Sequence, residues 1–229
     1  MNFTVESSDP ELFDLLNQVC PHLITEHAES KKISLCCAKS QVQTFVQENS
    51  LPSAILGRCP TCLYNFRRIF CDMMCHPEQS EFLNASKVVT NPINGKKMVK
   101  ELEYHVTENY AAQVYQSCAD VVNPSTSGSV MDLLCGPWGG ALCSPQRLLD
   151  YLGSISNGYA PFQINYLLYK EPIDGGLKPH DPHVVPCNVE AVPGIFPSFS
   201  HYSKSRIFVQ KFNFDKTQHF HEFFTQIFF

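Results

Sequence analysis

Four cysteines fall within seventeen residues of a segment that has helical periodicity, residues 58–76. They are Cys59, Cys62, Cys71 and Cys75. At 100° per residue, Asn65, Arg68 and Asp72 share one side of this helix, and the large apolar side chains share the other. That apolar face consists of Cys59, Leu63, Phe66, Phe70, Met73 and Met74. Because the other three cysteines lie on both flanks of this face, the segment predicts a core helix that disulfides tie to its neighbours.

Two other chemistries use closely spaced cysteines. A zinc ion held by four thiolates needs two pairs that converge on one point, and here the pairs diverge around the helix. A redox motif of the thioredoxin type, at Cys59-Pro60-Thr61-Cys62, needs a preceding strand in a βαβ unit, and the pattern gives no sign of one. The spacing therefore favours disulfides over redox catalysis, and it predicts neither a metal nor another cofactor.

The composition of the whole chain indicates a compartment that permits disulfides. Eleven cysteines in 229 residues are typical of an oxidising environment, and a glycosylation sequon begins at Asn84. The net charge of −5 argues against nucleic acid as a partner. No apolar run is long enough to span a membrane, and the N-terminus lacks the pattern of an export signal. Since the cysteine count is odd and export is needed, the sequence predicts that N-terminal residues are missing.

Periodicity, caps and turn residues predict further short elements. The N-caps Thr107 and Ser144 and the Asn94-Gly95 turn are the strongest local signals. Helices are predicted over 10–20, 36–49, 108–121, 130–135 and 145–152, a hairpin over 86–90 and 97–99, and a strand over 163–169. After Cys187 the composition changes, because ten of the seventeen phenylalanines and no cysteine follow it. Residues 188–229 are therefore predicted to be a tail that is not native to the fold.

One face of the predicted helix over 36–49 has an unusual composition. Gln41, Thr44, Phe45 and Glu48 recur at i, i+3, i+4 and i+7, so they share this face. Val42 and Val46 form a separate apolar stripe that suits the core. From the pattern alone, the simpler interpretation of the Gln41 face is a solvated surface.

Several short motifs occur in an order that resembles the N-terminal luminal domain of the Niemann-Pick type C sterol transporter family. The resemblance covers about residues 12 to 187. The motifs are SLCC (34–37), QVQT (41–44), RCPTC (58–62), QSEFLNAS (79–86), KEL (100–102), LLCG (133–136) and NGYAPF (157–162). The stretch ALCSPQR (141–147) is similar to the intestinal sterol-uptake branch of that family.

The resemblance implies that the domain binds one sterol, with the hydroxyl end buried and the hydrocarbon side chain near the mouth. Gln41 matches the glutamine that hydrogen-bonds the 3β-hydroxyl, and an amide can both donate to and accept from a hydroxyl. Thr44, Phe45, Glu48 and Phe70 match positions along the same pocket. A mobile apolar lip, which opens for the sterol and meets a small soluble carrier, is matched by Leu133, Leu134, Pro161, Phe162 and Ile164. Without the resemblance, these lip residues would be assigned to the core.

The resemblance also implies a disulfide pairing. It joins Cys20 with Cys71, Cys37 with Cys75, Cys62 with Cys118, and Cys135 with Cys143. The partners expected for Cys36, Cys59 and Cys187 would belong to segments that this chain lacks. The missing N-terminal segment would also carry part of the pocket, including a second hydroxyl-binding side chain.

The sequence and the resemblance together predict an α+β fold, in which several helices pack with a small mixed sheet and are stapled by disulfides. Residues 1–187 would form a luminal domain of a late endosomal, lysosomal or cell-surface membrane protein. This domain would bind cholesterol or a related sterol and exchange it with the soluble carrier and with a membrane portion of the longer protein. It is not predicted to be an enzyme, because no Ser/His/Asp or paired-carboxylate signature is present. The alternatives are a cysteine-rich ectodomain that binds only protein, and a truncated product without a stable fold.

Overall fold

The computed structural model describes residues 3–6, 9–27, 32–123, 125–171 and 176–186. Cys187 and the predicted tail, residues 188–229, lie outside the described residues. The α-helices are α1 Pro10–Val19, α2 Pro21–His27, α3 Lys39–Glu48, α4 Ser50–Leu56, α5 Pro60–Cys75, α6 Glu108–Ala119, α7 Met131–Leu134 and α8 Pro145–Gly153. The strands are β1 Phe3–Glu6, β2 Lys32–Leu35, β3 Leu83–Thr90, β4 Lys97–Thr107 and β5 Gln163–Tyr169. The predicted α+β class is confirmed.

The main sheet is mixed and has the order β3-β4-β5. β3 and β4 form the predicted antiparallel hairpin, whose turn includes Gly95 at a φ of 70°. A positive φ carries little steric cost for glycine, which explains the Asn-Gly step. β5 then returns parallel to β4, with a register that runs from Glu101 opposite Gln163 to Thr107 opposite Tyr169. β1 and β2 form a separate antiparallel pair.

Local cap chemistry explains where several helices begin. The Thr107 hydroxyl accepts a hydrogen bond from the backbone N–H of Tyr110 at the start of α6, and the Ser144 hydroxyl accepts one from Arg147 in α8. The prediction of a helix that begins at Cys36 was wrong. β2 ends one residue before Cys36, and α3 begins only at Lys39, after Ala38 in extended conformation.

Helix α5 lies at the junction of three clusters of buried side chains. Ile69 and Met73 belong to a cluster with the inner face of the β3-β4-β5 sheet. Met74 packs with residues of α1, α2 and α3, and Leu63 packs with residues of α4, α6, α7 and α8. Because one helix contributes to all three clusters, the other elements are positioned relative to α5.

Four disulfides reinforce this arrangement, and they are the four that the family resemblance implied. Three of them join α5 to the end of α1, to the segment before α3, and to α6. These three are Cys20–Cys71, Cys37–Cys75 and Cys62–Cys118. The fourth, Cys135–Cys143, closes the short loop that follows α7.

The polar side of α5 is buried as deeply as its apolar side. Asp72 is fully buried, and its carboxylate accepts hydrogen bonds from two histidine rings and from Arg68. The Oδ1 atom lies 2.7 Å from Nε2 of His22, and the Oδ2 atom lies 2.9 Å from Nε2 of His180. Arg68 also contacts the Glu26 carboxylate on α2, at 2.7 Å. A solvated polar side would expose these groups, whereas here they hold α2 and a distant segment against α5.

That distant segment is residues 176–186, here called the strap. Its His180 exchanges backbone hydrogen bonds with the end of β4, accepting from Thr107 N–H and donating to the His105 carbonyl. Further along, the Asn65 side chain on α5 forms a two-sided pair with the backbone of Val185, at 2.8 and 3.1 Å. The strap is therefore fixed both to the sheet and to the polar side of α5.

Candidate functional site

Helix α3 carries the four side chains that were predicted to share a face, and their exposure increases along the helix. Gln41, in the first turn, is 7% exposed. Thr44 and Phe45 are half-buried, and Glu48 at the last position is exposed. The simpler interpretation, in which the whole Gln41 face is solvated, therefore does not hold for the first turn of α3.

The position of Gln41 follows from the way α3 begins. Its side-chain Oε1 accepts a hydrogen bond from the backbone N–H of Ala38, the N-cap residue. This contact satisfies a backbone donor that the helix itself cannot satisfy, and it fixes the carboxamide beside the start of α3. Lys39, two residues earlier, forms ion pairs with Asp9 at 3.1 Å and Glu11 at 2.6 Å, which hold α3 against α1.

Three half-buried rings form what we call the aromatic row: Phe45 on α3 and Phe66 and Phe70 on α5. The ring centroids of Phe45 and Phe70 are 6.4 Å apart, and those of Phe66 and Phe70 are 5.3 Å apart. Each ring packs against a different one of the three core clusters. The row therefore runs along the junction of the clusters and presents partly exposed apolar surface there.

The residues matched to the lip fall into two groups. On α7, Leu133 is 45% exposed and Leu134 is half-buried in the cluster that also contacts Phe66. Phe162 and Ile164, at the start of β5, are instead buried in the sheet cluster, against which Phe70 packs. Pro161 is half-buried beside them.

Phe70 is thus the residue that connects the predicted site residues. It contacts Phe45 on one side and packs against the cluster of Phe162 and Ile164 on the other. Leu134 and Phe66 both pack against the third cluster. Phe66 lies on the predicted apolar face of α5 but was not among the predicted site residues. The signal for Phe66 was its spacing of four residues from Phe70, which puts the two rings one turn apart.

This region is an apolar surface with polar groups along its α3 side. Its polar members are the Gln41 amide, the Thr44 hydroxyl, which donates to the Ser40 carbonyl at 3.1 Å, and the exposed Glu48. Within the residues that the structure describes, no three His, Cys, Asp or Glu side chains are grouped as a metal site requires. Asn84, the predicted glycosylation site, is exposed on β3 and contacts Glu103 at 2.7 Å.

The family model and the relatives that match this chain belong to the same family. The family model described as the Niemann-Pick C1 N terminus matches residues 2–193. The chain belongs to this family. It is 36% identical over 167 residues to NPC intracellular cholesterol transporter 1 of Sus scrofa, which covers 71% of the chain. It is 34% and 32% identical over 176 residues, 76% of the chain, to NPC1-like intracellular cholesterol transporter 1 of Mus musculus and of Homo sapiens.

The chain corresponds to a small part of these relatives, since each match covers 13% of the relative's own length. In the described part of the chain, none of the helices combines the length and apolar composition needed to cross a bilayer.

Proposed function

We propose that this domain binds one molecule of cholesterol or a related sterol and passes it on chemically unchanged. The observation that supports this most directly is the combination of a buried amide, Gln41, with the aromatic row that begins at Phe45 on the same helix. A sterol is a rigid apolar body with one hydroxyl group. Binding sites for such molecules are mainly apolar, with a few polar groups that fix the orientation. The relatives named as cholesterol transporters agree with this ligand class.

In this proposal, Gln41 selects for the hydroxyl group. Its carboxamide can both donate to and accept from a 3β-hydroxyl. A ligand without the hydroxyl would cover a buried amide and leave it without that partner, which costs free energy. Thr44, Phe45, Glu48 and Phe70 would line the pocket around the sterol, from the buried start of α3 to its exposed end.

The two groups of lip residues would have different roles. Leu133 and Leu134 on α7 are the more exposed group, so we assign them to the mouth that meets a small soluble carrier. Pro161, Phe162 and Ile164 would form the wall behind it, because Phe162 and Ile164 belong to the sheet cluster against which Phe70 packs and half-buried Pro161 precedes them. Disulfides require an oxidising compartment, so we place the domain in the lumen of late endosomes or lysosomes, or on the cell exterior. There it would serve the membrane portion of a longer protein and would not act as an enzyme.

Equilibrium binding of radiolabelled cholesterol to Gln41→Ala tests the proposal. The variant should bind about 5- to 150-fold more weakly, which corresponds to roughly 1–3 kcal/mol for lost hydrogen bonds in a buried site. Gln47→Ala, at an exposed position of the same helix, is the matched control and should bind like the wild type. A sterol that lacks the 3-hydroxyl should bind weakly to the wild type and should lose little further affinity in Gln41→Ala.

The same experiment separates the mouth from the hydroxyl site. Leu133→Ala combined with Leu134→Ala should leave equilibrium binding almost unchanged but slow the transfer of cholesterol to the soluble carrier. Leu51→Ala, at an exposed leucine on α4, is the control for loss of surface leucine. If Gln41→Ala stays folded and binds cholesterol like the wild type, the hydroxyl site is wrong. Wild-type protein that binds no sterol would favour the protein-binding ectodomain, for which exposed Leu133 and Leu142 provide apolar surface.

A further inference from the structure

The β3–β4 hairpin extends beyond the rest of its sheet. Pairing between β4 and β5 begins only at Glu101, whereas β3 and β4 remain paired as far as Thr90 and Lys97. Residues 87–100, here called the finger, therefore form a two-stranded ribbon that continues past the three-stranded part of the sheet. This is the end of the sheet opposite to residue 107, where α6 begins.

The charge of the finger is opposite to that of the remaining chain. It contains Lys87, Lys96, Lys97 and Lys100 and no acidic residue. Since the whole chain has a formal charge of −5, the chain outside the finger carries −9. Lys87 lies at the base, 2.8 Å from the Glu101 carboxylate. Lys96 and Lys97 are exposed next to the turn. A strongly positive ribbon thus projects from a negatively charged domain.

The apex of the finger carries an exposed apolar side chain on a turn that is closed by hydrogen bonds. Ile93 at the tip is 90% exposed, the highest value among the large apolar residues that the structure describes as exposed. The turn around it is closed by hydrogen bonds from Ile93 N–H to the Asn91 side chain, from Gly95 N–H to the Asn91 carbonyl, and from Lys96 N–H to the Asn94 side chain. These bonds constrain the backbone of the turn, which lowers the conformational entropy that is lost when Ile93 makes a contact.

We propose that the finger docks end-on at an anionic lipid bilayer, with Ile93 entering the headgroup region and the lysines at the phosphate groups. Membrane-surface segments combine an apolar insertion with Lys or Arg that are attracted to anionic lipid. Lys97 is the first residue of β4 and Lys96 precedes it in the turn, and both are exposed, so two positive charges lie close behind Ile93. An anionic bilayer entered by the tip would take up the apolar Ile93 side chain and contact both lysines, whereas an acidic protein surface would accept Ile93 only at a matching apolar pocket. This inference is independent of the sterol site.

Binding to vesicles provides the test. The chain should sediment with vesicles of phosphatidylcholine and phosphatidylserine but only weakly with phosphatidylcholine alone, and added salt should release it. Lys96→Glu with Lys97→Glu should reduce binding by roughly 30-fold or more, since each lysine near an anionic surface contributes about fivefold. Ile93→Ser should also weaken binding to the vesicles, and added salt should still release the variant.

The matched control is Lys170→Glu with Lys178→Glu, which changes the net charge by the same amount. Lys170 follows the end of β5, and Lys178 bonds to Glu81 just before β3, so both lie at the end of the sheet away from the finger. This control should bind almost as well as the wild type. The proposal would be overturned if the control lost as much vesicle binding as the finger variant. It would also be overturned if the wild type bound phosphatidylcholine vesicles as well as vesicles that contain phosphatidylserine. Binding to poly-glutamate without binding to vesicles would also overturn it, and would assign the finger to an acidic protein partner.

Discussion

Asp72 is the residue whose surroundings depart most from those of an ordinary carboxylate. Burial alone would raise its pKa, but hydrogen bonds from His180 and His22 and the charge of Arg68 outweigh burial and hold the pKa well below its usual range. The carboxylate therefore stays ionised inside the protein. It connects α5 to α2 through His22 and to the strap through His180.

Replacing Asp72 should be costly because it removes the shared acceptor of a buried polar group. We expect Asp72→Asn to lower the free energy of unfolding by about 3–5 kcal/mol at pH 6, the range for breaking a buried ion pair from one side. Asp14→Asn makes the same chemical change at an exposed position of α1 and should cost less than about 0.5 kcal/mol. Urea denaturation of both variants measures the difference, and similar losses in the two would contradict the role of Asp72.

The same carboxylate predicts how stability depends on pH. Its folded pKa is lowered, so its stabilisation is fully present above the unfolded value of about 4 and is lost as the pH falls below it. The wild type should therefore lose stability between about pH 5 and pH 2, and Asp72→Asn should lose less over that interval. Parallel pH profiles for the two proteins would show that Asp72 does not carry this effect.

At the scale of elements, the sequence predicted most of the secondary structure. The helical segment around Cys71, the hairpin around Gly95 and the strand from Gln163 follow from periodicity, turn chemistry and caps, which are local properties. Helices α2 and α4, of seven residues each, were not predicted.

The burial of the polar side of α5 could not be predicted in the same way. Asn65 and Asp72 are paired by the strap, which lies 120 and 108 residues further along the chain. A pattern confined to the helix does not contain those partners.

The candidate site was predictable only in part for a related reason. Periodicity put Gln41 and Phe45 on one face, but their assigned role came from the family resemblance and stays a prediction.

The disulfides of the domain should differ in their contribution to stability according to the length of the loop that each closes. Cys62–Cys118 spans 56 residues and Cys135–Cys143 spans 8. Chain-entropy estimates give about 4 kcal/mol for the first and about 2.5 kcal/mol for the second. Cys62→Ala with Cys118→Ala should therefore destabilise the domain more than Cys135→Ala with Cys143→Ala. Chemical denaturation measures both, and the reverse order would show that packing at the buried sulfurs outweighs loop closure.

At the scale of the whole molecule, the strap completes the described fold. It adds a backbone bridge beside β4 at Val106, supplies one of the two histidines on Asp72 and pairs with Asn65. Val184 of the strap is buried in the sheet cluster. These contacts join the sheet to α5 and, through Asp72 and His22, to α2. The last of these contacts along the chain involves Val185, and the match to the family model ends at residue 193.

We therefore predict that the native domain ends close to Cys187. A chain shortened to residues 1–187 should unfold cooperatively, with a free energy of unfolding within about 1 kcal/mol of the full chain, because the strap and its contacts remain. A chain that ends at Glu171 lacks the strap and should lose at least about 3 kcal/mol, since Asp72 and Asn65 are then left in place without strap partners. Urea unfolding of the three chains decides the boundary. If the chain ending at Cys187 is as unstable as the one ending at Glu171, residues 188–229 contribute to the core and the predicted boundary is wrong.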